Sequence, residues 1–197
     1  MLYERNPSYN GHMPRRAPPA YLFFGVFTGF PALFPEVRAL IEARFGAIHP
    51  EGESPTFDFP ETRSYARSMG SGLRRKFFIL ERLWPQDGLA AVKQTARDME
   101  EAIGLGHPRP LDRAVDRVMN IDPGIINDCR VILASTKDYA HRIYRGDGIW
   151  EEISLVFQHG AYRSHPWTYP DFRRDTYHAF FARFRQKLLT NVQGTAP

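Results

Sequence analysis

Residues 135–142 read Ser-Thr-Lys-Asp-Tyr-Ala-His-Arg and place several groups suited to anion binding in one short run. The hydroxyls of Ser135 and Thr136 can donate to phosphate oxygens, Lys137 brings a point charge, and His141 and Arg142 follow close behind. Apolar residues flank the run, Ile132 to Ala134 before it and Ile143 after it, so it belongs at an edge of the core, where sites form. The plainer alternative is a solvated loop in which Lys137 pairs with Asp138. The wider stretch 120–144 is thus the polar centre of an otherwise apolar chain.

A second basic group stands at Arg74, Arg75 and Lys76. On a strand, alternation sends Arg74 and Lys76 to one face and Arg75 to the other. Arg74 and Lys76 are candidate phosphate contacts, or else charges that keep a strand edge soluble. Four carboxylates, Asp58, Asp122, Asp138 and Asp171, fall where elements are expected to end. Asp58, Asp122 and Asp138 are candidate ligands for Mg²⁺, which takes one or two acidic ligands together with water and substrate phosphates. For Asp122 and Asp171 helix capping is the plainer reading. Trp167, Tyr169 and Phe172 can stack on a base or pack over a core.

The familiar signatures are missing. Gly70-Ser71-Gly72 before Arg74-Arg75-Lys76 is the nearest approach to a phosphate-binding GxxxxGK[ST] loop, and its spacing is wrong. There is no GxGxxG, GxSxG or HExxH, and no cysteine pair to support a zinc site. Cys129 is the single cysteine, which rules out an intrachain disulfide and fits a reducing, cytoplasmic setting. Set among Ile125, Ile126, Ile132 and Leu133, it reads as a small buried hydrophobe.

The elements that must position these groups follow from composition and periodicity. A chain of 197 residues, 43% hydrophobic and 14% aromatic, suits one folded domain and argues against disorder. The expected division is a proline-rich arm over 1–19, a domain over 20–190 and a disordered tail over 191–197. The most apolar stretch, 21–27, is far shorter than the ~18 residues a membrane span needs. The prolines before it and the lack of a small-residue cleavage site after it argue against a signal peptide. The net charge is only +4, and 22 of the 26 basic residues are arginine, the other four being lysine. No run of five or six like charges marks a basic tail for nucleic acid.

A buried strand is expected over 21–28. A helix follows with Leu33, Val37, Leu40, Ile41 and Phe45 on one face, Pro35 in its first turn and Gly46 at its end. Residues 47–55 read as a loop, 56–59 as a short strand and 73–83 as a central strand. Pro85 opens a helix with Leu89, Val92, Ala96, Met99 and Ile103 at helical spacing, ending near Gly104. With a strand over 113–121 the order is βαββαβ, that of a ferredoxin-like core. Asp122 as N-cap and Pro123 at the first helical position predict a further helix to about residue 134. Gly146-Asp147-Gly148 predicts a hairpin between strands 140–145 and 149–157. A last helix carries Tyr177, Phe180, Phe181, Phe184 and Leu188 on one face. The fold class is therefore α+β, a single domain with a ferredoxin-like core extended by a helix, a β-hairpin and a C-terminal helix.

Several of these motifs together resemble a known family: Phe57-Asp58-Phe59, Ser68-Met69-Gly70 leading to Leu73-Arg74-Arg75-Lys76-Phe77, Asn120-Ile121-Asp122-Pro123-Gly124, the run from Leu133 through Ser135-Thr136-Lys137-Asp138-Tyr139 to His141-Arg142-Ile143-Tyr144, and Trp167-Thr168-Tyr169-Pro170-Asp171. The family is the bacterial one filed as domain of unknown function 4416, and the resemblance covers about 21–188. It implies no catalytic residues. Members sometimes carry the label "GTP-binding protein", but this chain has no P-loop, and Thr136-Lys137-Asp138 only approximates the Asn-Lys-x-Asp motif that reads guanine.

Two functional classes stand out, with a scaffold role as a third. In one, the domain binds a phosphorylated small molecule or nucleotide, with Arg74, Lys76, Lys137 and Arg142 on phosphates and an aspartate on Mg²⁺. In the other, an arginine-rich, aromatic sheet surface binds RNA. Convergence of the polar groups in one concave pocket favours the first; their spread over an open sheet face favours the second.

Overall fold

All nine residues of β1 (Ala20–Thr28) are buried, which a strand achieves only with neighbours on both edges and cover on both faces. β4 (Arg74–Trp84) and β5 (Met119–Ile126) pair with it on either edge, both antiparallel. Alternation sends Leu22, Phe24 and Val26 to one face, against α1 (Phe34–Phe45) and α3 (Leu89–Gly106). Tyr21 and Phe23 go to the other face, against α4 (Asp175–Gln193). A computed structural model of the chain describes residues 16–59, 63–107 and 117–193. Among the described residues the elements form one α+β domain around a nine-stranded antiparallel sheet.

The sheet runs β2 (Ile48–Glu53), β4, β1, β5, β6 (Arg130–Ser135), β8 (Ile149–Gln158), β7 (Ile143–Gly146). β3 (Phe57–Asp58) also pairs with β4, and β9 (Ala161–Ser164) with β8. β1 and β2, joined through α1, both pair antiparallel to β4 and lie on either side of it, while β5 closes on the far side of β1. The expected helices at 34–45, 89–106 and 175–193 all form, and a further short helix, α2 (Arg63–Met69), lies between β3 and β4 in the chain. The aromatic stripe of α4, Tyr177, Phe180, Phe181, Phe184 and Leu188, is buried throughout, each side chain contributing on the order of 2 kcal/mol.

Five expectations need correction. Residues 47–55 hold β2 in place of a loop. The strand expected from 113 begins at Met119, and 113–116 lie outside the described residues. The helix expected over 122–134 is the β5–β6 hairpin. Met119 to Ile126 pairs residue by residue with β1, so the cap-like Asp122-Pro123 stands inside a strand. Pro123 is tolerated because the ladder to β6 starts only at Gly124. Gly124 is itself required, since a Cβ there would stand 2.4 Å from the Phe23 ring and 2.5 Å from the Ile132 carbonyl. Asn127 makes the turn, its Oδ1 accepting from the backbone N–H of Cys129 (3.1 Å) and of Arg130 (2.7 Å). Cys129 is therefore a partly exposed turn residue, and burial still pushes its thiol pKa up. Finally, β7 starts at Ile143, leaving 140–142 in a turn closed by the Arg142 N–H on the Tyr139 carbonyl (2.9 Å), and β9 was not foreseen.

Of the expected arm, 1–15 lie outside the described residues, while 16–19 are exposed and without regular structure. At the other end α4 continues to Gln193, and 194–197 lie outside the described residues. Among the described residues no helix is long and apolar enough to cross a membrane.

Candidate functional site

A cleft of about 600 Å³ opens at the end of the sheet where β1 and β6 finish and β4, β5 and β8 begin. That volume lies within the range of small-molecule sites, roughly 300–1,000 Å³. Its walls come from α3 with β5 on one side and from the loop after β6 with residues 169–172 on the other.

On the α3 side a lysine interrupts the apolar stripe. Lys93 Nζ donates to the Ile121 carbonyl (2.7 Å) and to Asp122 Oδ1 (3.0 Å). Glu100 accepts from the Ile121 N–H (2.7 Å) and from Arg117 Nη2 (2.7 Å), and Arg117 also donates to Asn120 Oδ1 (2.7 Å). Asp122 lies opposite Gly25 on the strand. Burial alone would raise its pKa, but Lys93 and Arg75 outweigh that and hold it below the usual carboxylate range.

On the opposite wall Arg142 is buried and fully engaged. Its Nε donates to Glu152 Oε2 (2.8 Å), Nη1 to Ser135 Oγ (2.7 Å) and the Lys137 carbonyl (2.7 Å), and Nη2 to the Tyr169 hydroxyl (2.8 Å). Glu152 Oε1 accepts from Ser154 Oγ (2.8 Å), and His141 Nε2 lies 3.0 Å from Oε2. Burial works against the charge on Arg142, yet Tyr169 and Glu152 leave its pKa raised. Beside this wall Tyr139, His141, Trp167 and His165 stack in sequence, centroids 5.9, 5.3 and 4.7 Å apart. Lys137 Nζ lies over the Tyr65 ring at 5.2 Å.

The floor is Arg75, only 4% exposed. Its guanidinium carbon lies 4.8–5.6 Å from the centroids of Phe27, Phe59, Phe77 and Phe172. Gly25 makes room for it, since a Cβ there would stand 2.9 Å from Arg75 Nη1. Nε lies 3.2 Å from Asp171 Oδ2 but misaligned, and Nε, Nη1 and that carboxylate oxygen have no hydrogen-bond partner. Burial would lower the pKa of Arg75; Asp171, Tyr177 and Asp122 reverse this and raise it. Asn120 Nδ2 is also buried without an aligned partner, close enough to Asp122 to help lower its pKa but outside hydrogen-bond geometry.

Of the residues singled out in the sequence, Ser135, Thr136, Lys137, Arg142 and Asp122 line the cleft. His141 stands behind it on Glu152. Arg74 and Lys76 do not reach it: alternation turns them to the surface, where Arg74 pairs with Asp58 and Lys76 with Glu53. Asp58 is thus an exposed surface partner, and Asp138 is exposed in a turn that follows a strand, not a helix. Asp171, read as a helix cap, is buried beside Arg75 instead. Among the described residues no three His, Cys, Asp or Glu side chains gather to hold a metal ion.

Sequence reasoning passed over Arg75, Lys93, Asn120 and Glu152. Two signals were available. The alternation that paired Arg74 with Lys76 left Arg75 facing inward, and Lys93 falls four residues after Leu89 and three before Ala96, inside the apolar stripe. The open sheet face that RNA binding calls for is taken up by helices on both sides of the inner strands.

No curated protein and no solved structure is detectably similar to this chain. A family model does match it, over residues 18–188, which takes in β1 through most of α4 and every cleft residue named above. The chain belongs to the family described as Domain of unknown function (DUF4416).

Proposed function

We propose that the cleft binds a small phosphorylated molecule, nucleotides included, with Arg75 as the central contact. The observation that carries this reading is the Arg75 guanidinium itself, buried with Nε and Nη1 unpaired at the floor of the cleft. Leaving a buried donor unpaired costs about 1–3 kcal/mol, more when it is charged. A ligand oxyanion would recover that cost. Asn120 Nδ2 offers a further donor, while Thr136 and Lys137 are exposed on the cleft wall, so donors are available on several sides, as a tetrahedral phosphate can use. Lys93 already occupies the cation position beside Asp122, so binding is expected to proceed without Mg²⁺.

Thermal unfolding of the full chain against nucleoside mono-, di- and triphosphates and sugar phosphates, with and without Mg²⁺, tests this. A ligand present at a hundredfold its Kd stabilises by about 2.7 kcal/mol, roughly 5–10 °C for a domain of this size. The shift should vanish in Arg75→Met. A flat response across the whole panel overturns the reading.

A further inference from the structure

We infer that the ligand of this cleft carries a hydroxyl or amine donor beside its phosphate, read by Asp171, which makes it a hydroxylated phosphomonoester and not a bare phosphate or a long polyphosphate. This rests on the proposal that Arg75 receives the phosphate.

The first observation is the acceptor. Asp171 Oδ2 is buried and without a hydrogen-bond partner, 3.2 Å from Arg75 Nε. A carboxylate oxygen beside a guanidinium is placed to accept hydrogen bonds. A phosphate alone satisfies the Arg75 donors and sets a second anion against Asp171. A ligand presenting an O–H or N–H next to its phosphate satisfies both groups at once. The unpaired atoms of the floor are therefore of two kinds, donors on Arg75 and Asn120 and an acceptor on Asp171, and the ligand must complement both.

The second observation is the charge balance. Among the described residues, six cationic side chains line the cleft and six carboxylates accompany them. Three of each are already paired: Lys93 with Asp122, Arg117 with Glu100, Arg142 with Glu152. Described lining residues balanced in this way offer a tetra-anionic polyphosphate no overall attraction, and each added phosphoryl group brings further repulsion from the carboxylates. Discrimination then falls to hydrogen bonds, of which the one to Asp171 is charge-assisted and sheltered from water.

The experiment is calorimetric titration of the full chain with methyl phosphate, which has no donor beside its ester, and with ribose 5-phosphate, glucose 6-phosphate, glycerol 3-phosphate and AMP. At least one of the four should bind roughly 10- to 100-fold more tightly than methyl phosphate, the worth of one hydrogen bond to a charged group. In Asp171→Asn that ratio should fall towards one, with methyl phosphate binding as well as before or better because a neighbouring negative charge is gone. If methyl phosphate binds and none of the four binds more tightly, the donor inference is overturned and the Arg75 reading stands. If neither methyl phosphate nor any of the four binds, both fall. The wild-type ratio decides between these outcomes even where Asp171→Asn does not fold.

Discussion

Two buried arginines face the same cleft and are held in opposite ways. Arg142 uses Nε, Nη1 and Nη2 on Glu152, Ser135, the Lys137 carbonyl and Tyr169. Arg75 sits among four phenylalanine rings with Nε in ion contact with Asp171, and neither Nε nor Nη1 makes a hydrogen bond. Burying an ion is costly in both cases, and hydrogen bonds offset the cost only at Arg142. The difference separates a clamp from the group proposed to bind the ligand. Arg142 ties the loop after β6 to β8 and to Tyr169, and so fixes the shape of one wall. Arg75 is left with capacity that the protein itself does not use.

The comparison is tested most directly by removing each carboxylate. Glu152→Ala leaves Arg142 charged, buried and without its main partner, and should cost about 3–5 kcal/mol. Asp171→Ala breaks a close ion contact but no aligned hydrogen bond, and should cost about 1–2 kcal/mol less, because the rings around Arg75 remain. Urea unfolding of the two variants measures both. Equal costs would make Arg75–Asp171 a second clamp and end the distinction.

Replacing both partners of each pair sharpens the contrast. Arg75→Met with Asp171→Leu removes two charges whose bonds are incomplete, and should be neutral or stabilising by up to about 4 kcal/mol, while phosphate binding is lost. Arg142→Met with Glu152→Leu takes partners away from the hydroxyls of Ser135, Ser154 and Tyr169 and from the Lys137 carbonyl, and should destabilise by about 1–3 kcal/mol for each of these that stays buried. Opposite signs in the same denaturation assay are the expected result.

The same contrast explains how much could be read from the sequence. The α3 and α4 stripes were legible because their apolar spacing is local and nothing competes with it. Asp122-Pro123 misled because it matches a helix start residue for residue, and only pairing with β1, about a hundred positions earlier, makes it a strand. β2 was missed because His49, Pro50, Glu51 and Gly52 lack strand propensity and form an irregular stretch between Ile48 and Glu53, the two residues that pair with the edge of β4. In the site, the clamp residues Ser135 and Arg142 were legible as one continuous polar run. The proposed binding group was not: Arg75, Asn120 and Asp171 lie on three elements that meet only in the folded chain.

Acid titration sharpens the Arg75 side further. Asp122 is held below the usual carboxylate range by Lys93 and Arg75. A lowered folded-state pKa contributes stability that is fully present above the unfolded value, about 3.9, and is lost as the pH falls through the folded value. Stability of the wild type should therefore decline below about pH 4 more steeply than that of Asp122→Asn. Arg75→Met should lie between them, since it removes one of the two cations responsible. Coincident curves for wild type and Arg75→Met would place Arg75 too far from Asp122 to act on it.

The smallest effect is expected on the opposite face of β4, where it matters most for the location of the site. Arg74 pairs with Asp58, whose side chain is 81% exposed, and Lys76 pairs with Glu53. Exposed ion pairs contribute about 0–1 kcal/mol and weaken as salt screens them. Arg74→Ala and Lys76→Ala should each lower stability by less than about 1 kcal/mol, should do so less at high salt, and should leave phosphate affinity unchanged, although these two residues flank Arg75 on both sides. A loss of affinity in either variant, with Arg75→Met still binding, would move the site to the surface face of β4 and give Arg75 a purely structural role.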